Sequence, residues 1–127
     1  MIEKGYVVQD VSLDPFYWDK DIDFVVTSTS GAVKSFEVKW DTKIHRTGNL
    51  YLELTNVRSR GGKGWFEFCE ADYVAYGDAN AQVFYIIPLL ELKKRIKSLP
   101  QRLVSCGDDS TGLLVSLHDI SDIAQVL

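Results

Sequence analysis

Residues 20–40, KDIDFVVTSTSGAVKSFEVKW, decide how this chain folds. DIDFVVTST reads as one strand, SGAV as a hairpin turn and KSFEVKWD as the next strand, because side chains alternate at the period of two that an extended backbone imposes. In the second strand Phe36, Val38 and Trp40 share one face, and Ser35, Glu37, Lys39 and Asp41 share the other. In the first, Asp21 and Asp23 oppose Ile22, Phe24 and Val26. Charged side chains are rarely buried unless they are paired or hold a metal. The acid-bearing face is therefore expected to lie away from the core, either as a solvated, salt-bridged surface or as a chemical site.

Working outward, YVVQDVS (6–12) reads as a strand, followed by the loop LDPFYWDK with its proline turn signal. After the polar loop TKIHRTGN comes LYLEL (50–54), with Leu50, Leu52 and Leu54 on one face and Tyr51 and Glu53 on the other. ADYVAYGD and QVFYIIP read as further strands, and TGLLVSLHDI as a last one. LLELKKRIKSL has the one clear helical period, with Leu89, Leu92, Ile96 and Leu99 as its apolar stripe. These elements predict an α/β or α+β fold, and 127 residues with 46% hydrophobic content suit a single domain, 1–127. The longest apolar run, VFYIIPLL, ends after eight residues and contains Pro88, well short of the roughly 18 that a membrane span needs. No membrane partner is expected, and the expected location is the cytoplasm of a bacterial or phage-infected cell. Cys69 and Cys106 have neither metal-pair spacing nor a disulfide framework, and are expected to be ordinary buried or half-buried thiols.

The net charge of −4 argues against a protein that coats nucleic acid. Its distribution is uneven. Residues 34–63 hold seven basic residues against three acids, a local +4, while the rest of the chain carries −8. Within that stretch RSRGGKG (58–64) is a basic, glycine-rich loop. Arg58, Arg60 and Lys63 are candidate phosphate contacts, because neighbouring glycines let backbone amides approach a nucleic-acid strand closely. Trp65 and Phe66, just beyond the loop, either stack on a base or close the core. Trp18, Trp40 and Tyr73 are assigned to packing.

If the acid-bearing faces of the first two hairpin strands coincide, Asp23 and Glu37 lie across the hairpin with Lys39 one step along. Hard cations take carboxylate oxygens and keep several waters. Asp23, Glu37 and the backbone carbonyl of Val38 would then suffice to hold Mg²⁺ or Mn²⁺, with a substrate phosphate completing the shell. Lys39 would orient or help deprotonate the attacking water and stabilise developing negative charge. Asp21 competes with Asp23 as the first acid. His45 offers a general base or plain polar surface.

An Asp, a hairpin and then Glu-x-Lys, here DIDFVV followed by FEVKW, resembles the PD-(D/E)xK nuclease superfamily with its restriction-endonuclease-like fold. EVKWDTKIHRTGNLYLEL followed by GKGWFEFCEADYVAYGD is similar to small phage and prophage-type members of that superfamily, and the resemblance covers roughly residues 5 to 90. It implies a central mixed β-sheet flanked by helices, and a Mg²⁺- or Mn²⁺-dependent hydrolase that cleaves DNA, with Asp23 and Glu37 as metal acids and Lys39 as the motif lysine. Glu53 matches the acid that these relatives keep after T-G-N, either as a third acid near the metal or as a partner that orients Lys39. Lys43, Arg46, Arg58, Arg60 and Lys63 would contact nucleic acid. Superfamily members usually begin with a helix that often carries another acid. This chain reaches its first strand almost at once, with Glu3 in place of such a helix, so the N-terminal helix is expected to be reduced.

Two functions follow from this resemblance. The first is an endonuclease or other nuclease acting in phage DNA recombination, replication or defence, with a homodimer as one way to span a duplex. The alternative is a nuclease-fold binding or regulatory protein, with a weak or unused metal site, that acts on a nucleic acid or a host protein.

Overall fold

The computed structural model describes residues 6–18, 20–58, 60–107 and 109–127, and for Arg60 it describes the backbone alone. Glu3 therefore lies outside the described residues. The protein is a mixed α+β domain built on two sheets. The larger is six-stranded and contains β1 (Val7–Asp10), β2 (Phe24–Thr27), β3 (Val33–Asp41), β5 (Tyr73–Asp78), β6 (Val83–Pro88) and β9 (Gln125–Val126), side by side in that order. β3 and β5 run parallel, and every other pairing in the sheet is antiparallel. The smaller sheet is antiparallel, with β8 (Ser110–Ser116) between β4 (Asn49–Asn56) and β7 (Leu103–Cys106).

Among the described residues, four short α-helices complete the fold: α1 (Pro15–Trp18), α2 (Ile44–Thr47), α3 (Trp65–Phe68) and α4 (Leu89–Ile96). No helix among the described residues is long and apolar enough to cross a membrane. A parallel neighbour cannot be reached by a tight turn, so the chain needs a long crossover between β3 and β5. That crossover consists of α2, β4 and α3, and it carries the second sheet's first strand over the larger sheet. The core forms between the two layers. Leu50 and Leu52 of β4 and Leu113 and Val115 of β8 meet Val25, Val74, Tyr76 and Ile87 of the larger sheet. Leu89, Leu92 and Ile96 bring α4 into the same cluster, as their helical spacing predicts.

The strand register reverses one expectation. Glu37 pairs with Val74 and Lys39 with Tyr76, so the charged face of β3 continues into the apolar face of β5. That face points into the core. Glu37 is 3% exposed, whereas Trp40, expected to pack inside, is 63% exposed. The alternation within β3 is as expected, and only the assignment of inside and outside is exchanged. The reason is lateral, because the strands flanking β3 have apolar residues on both faces and the crossover closes over one of them.

Among the described residues, helices do not flank both sides of the sheet. Among the described residues, the helices and the smaller sheet contribute to the core on one side, while the other carries Phe24, Phe36, Val38, Phe84 and Ile86 around a hollow of about 260 Å³. There Trp40 packs edge-on against Phe84 at 5.0 Å and Phe36 stacks on Tyr73 at 5.2 Å. Trp18 is also exposed, and so is Cys106, which was expected to be at least half-buried. Trp65 and Phe66 are both buried, which favours the packing role over stacking on a base.

The glycine-rich loop is built for its own conformation. Gly61 and Gly62 have φ values of 69° and 72°, in the left-handed region that glycine enters without a Cβ penalty. Gly64 precedes α3 and lies against β4, where a Cβ would come within 2.5 Å of the Glu53 carbonyl oxygen. A backbone neighbour cannot swing aside. Gly64→Ala is therefore expected to destabilise the protein by about 1–3 kcal/mol, the usual range for overpacking. Urea denaturation measures this, and a variant as stable as the parent would contradict the close approach.

Candidate functional site

The candidate site lies where the start of β2 meets the middle of β3, beneath α3. The chain leaves α1 in a turn in which the Asp21 amide donates to the Trp18 carbonyl at 3.1 Å. Asp21 itself has φ 55°, a left-handed conformation that Asp tolerates better than most residues. Asp23 then joins the hairpin: its amide donates to the Phe36 carbonyl at 2.9 Å, and its Oδ2 accepts from the Val38 amide at 2.9 Å. Asp23 is thus locked to the same strand that carries Glu37 and Lys39.

Lys39 Nζ lies 3.6 Å from Glu37 Oε1 and 3.7 Å from Asp21 Oδ2. It also sits 5.1 Å from the centroid of the Trp65 ring, a cation–π contact that holds the ammonium under α3. Asp21, Glu37 and Cys69, the residue after α3, place one ligand atom each within 4.8 Å of one another. The Cys69 thiol donates to the Asp21 carbonyl at 3.3 Å. Two carboxylate oxygens, Asp21 Oδ2 and Glu37 Oε2, are buried and have no hydrogen-bond partner.

Burial, and then the neighbouring Asp21 carboxyl, push the Glu37 pKa well above the ordinary carboxyl range; Lys39 opposes this and Asp23 reinforces it. Ionised, these carboxyl groups offer one another no donor. A proton shared between them, or a cation, resolves the conflict. Burial likewise pushes the Cys69 thiol up to about 12, so in the metal-free protein it is an inert thiol.

The structure thus brings Asp21, Asp23, Glu37 and Lys39 together. It gives Glu53 other partners. That carboxylate, on β4 of the smaller sheet, accepts from Ser110 Oγ at 3.0 Å and Asn56 Nδ2 at 3.3 Å. Lys39 pairs with Asp21 and Glu37 instead, which removes Glu53 from the role of orienting it. Of the basic residues, Arg58 pairs with Asp109 at 2.8 Å, and the Lys63 backbone bridges to Thr55. The Arg60 side chain lies outside the described residues. Lys43 and Arg46 are exposed in and before α2, past the end of β3. His45 is half-exposed, with Nδ1 3.6 Å from Oδ1 of the buried Asp78. Cys69 was missed as a neighbour of the acids, since no spacing in the sequence links residue 69 to residues 21 and 37. Comparison with family models, curated proteins and solved structures returns no match.

A raised carboxyl pKa sets the sign of a pH effect. Folding favours protonated Glu37, so its contribution to stability is complete below the ordinary carboxyl pKa and is lost as pH rises toward the folded value. In chelator, the melting temperature of the parent should fall from about pH 5 to about pH 8 more steeply than that of Glu37→Gln, which keeps the shape and removes the titration. Parallel profiles for the two proteins would count against a protonated Glu37.

Proposed function

We propose that the chain is a metal-dependent nuclease that hydrolyses DNA phosphodiester bonds. The observation that carries this reading is the convergence of Asp21, Asp23, Glu37 and Lys39 around two buried carboxylate oxygens without hydrogen-bond donors. The resemblance of DIDFVV and FEVKW to the PD-(D/E)xK superfamily and the mixed sheet with parallel β3 and β5 support it.

Glu37, with Asp23 or Asp21, would hold Mg²⁺ or Mn²⁺; the donors are hard oxygens, and the unsatisfied ones fit a cation. When bound, the cation would lower the pKa of a water and offset charge on the scissile phosphate. The chain's own residues do the rest. Asp23 is oriented by the Val38 amide, so its carboxylate has a fixed direction. Lys39 supplies a compact positive charge beside the carboxylates, placed to stabilise an oxyanion or to exchange a proton with the attacking water. Lys43 and Arg46 would meet the DNA backbone beyond Asp41, which ends β3 about 13 Å from Glu37 at ~3.3 Å per residue.

A nuclease-fold binding module is the second reading, favoured by the depth of Glu37 and by the pairing of Lys39 with two acids, which serve a structural role equally well. Labelled single-stranded, duplex and branched DNA incubated with Mg²⁺, Mn²⁺ or chelator separates the two. The nuclease cleaves at least one form, only with metal. Glu37→Gln and Asp23→Asn should abolish cleavage, and Lys39→Ala should lower it about a hundredfold or more in a protein that still binds the metal. Lys39→Arg should not restore full activity, since a guanidinium neither fits the ammonium's position nor gives up a proton. A parent protein inert on every DNA form, together with a Lys39→Arg variant of parental stability, would favour the binding module.

DNA contact has its own measurement. Lys43→Ala combined with Arg46→Ala should weaken binding and flatten its logarithmic salt dependence by about 0.7–0.9 per lost phosphate contact. An unchanged slope would remove the two residues from the DNA path.

A further inference from the structure

We infer that Cys69 makes this site a mixed oxygen and sulfur centre, one that takes Zn²⁺ and similar thiophilic divalent ions in preference to Mg²⁺. The inference rests on reading the acid cluster as a metal site, and it concerns which ion the site selects. Three observations carry it. One ligand atom each from Asp21, Glu37 and Cys69 lies within 4.8 Å of the others. The Glu37 side chain is only 4% exposed, and its Oε2 has no hydrogen-bond partner, so a polar group sits buried and unsatisfied in the cluster. Cys69 is 3% exposed and is held there by its contact with the Asp21 backbone, so the sulfur is fixed beside the acids.

Ligand atoms on one tetrahedral Zn²⁺ stand about 3.5 Å apart at metal–ligand distances of ~2.0–2.3 Å. Closing the observed triangle therefore takes movements of about 1 Å, within the range of side-chain rotation. Two carboxylate oxygens and one sulfur leave the fourth position open, the pattern of a catalytic rather than a structural zinc site. Sulfur decides the preference, because thiolate favours Zn²⁺ and other softer ions, whereas Mg²⁺ takes oxygen donors in octahedral geometry. Lys39 is the competitor: its ammonium lies 3.6–3.7 Å from both acids and must move aside as the cation enters. The adjacent Trp65 ring offers it a surface to retreat along.

Co²⁺ reports the ligand set directly, because thiolate coordination gives an intense near-ultraviolet charge-transfer absorption that oxygen ligands do not. The chelator-treated full chain, titrated with Co²⁺, should develop this band, and added Zn²⁺ should displace it. Cys69→Ser should abolish the band and weaken Zn²⁺ binding at least tenfold, with Mn²⁺ affinity unchanged within about twofold. Cys106→Ser, which removes the exposed thiol, should keep the band. Should Cys69→Ser not fold, Asp21→Asn provides the check, since it retains the thiol and should still lose at least tenfold in Co²⁺ affinity.

Co²⁺ bound without the band, a band lost with Cys106→Ser, or unchanged Zn²⁺ affinity in Cys69→Ser would each overturn the inference. The nuclease reading fails separately. Metal-dependent cleavage without the cobalt band would leave the nuclease standing and remove Cys69 as a ligand. The band in a protein that cleaves no DNA would do the reverse.

Discussion

Everything in this molecule is arranged around a charged strand face turned inward. β3 is an inner strand of the larger sheet, and the side of it that carries Glu37 and Lys39 lies under α3 and the crossover rather than in water. Taking charges out of water costs several kcal/mol per ion, and attraction between partners offsets this only with good geometry and further hydrogen bonds. Part of that compensation is visible in the Lys39 contacts and in the Val38 amide bonded to Asp23. The rest is missing, since two carboxylate oxygens remain without donors. A purely structural face could replace these groups by apolar ones of similar volume with no loss of stability.

The hairpin and its alternation were legible in the sequence because period two is a local property. Which face would be the core was not, because it depends on β5 and β4, residues far along the chain whose register no local pattern fixes. Phe36, Val38 and Trp40 on one side and Val25, Val74 and Tyr76 on the other are equally apolar, and only the route of the crossover chooses between them. The same limit explains the missed elements. α1 and α3 span only four residues each, too few to display a helical period, and β7 and β9 are short edge strands.

The candidate site was legible for a related reason, and only in part. Asp23, Glu37 and Lys39 belong to one hairpin, so their meeting follows from strand pairing alone, and Asp21 was within the same reach. Glu53 and Cys69 belong to the crossover, where spacing in sequence says nothing about distance in space. Glu53 was expected near Lys39 and instead accepts from Ser110 within its own, smaller sheet. Cys69 was expected to be an ordinary buried or half-buried thiol, and it is buried, yet its sulfur lies among the acids.

The charge balance of the cluster ties these parts together. Asp21, Asp23 and Glu37 fully ionised carry three negative charges, and Lys39 returns one positive charge, which leaves two in a place that water does not screen well. Burial and the neighbouring acids therefore drive a proton onto Glu37, which still leaves the group one charge short of neutrality. One divalent cation would neutralise the ionised cluster and supply what each orphaned oxygen lacks. A proton corrects half of the imbalance, and Lys39 cannot correct more because its single charge already serves two acids. On the proposed reading of the cluster as a metal site, a divalent ion would offset the two charges that the three carboxylates and Lys39 leave, and a Cys69 thiolate among its ligands would add one further negative charge for the ion to meet.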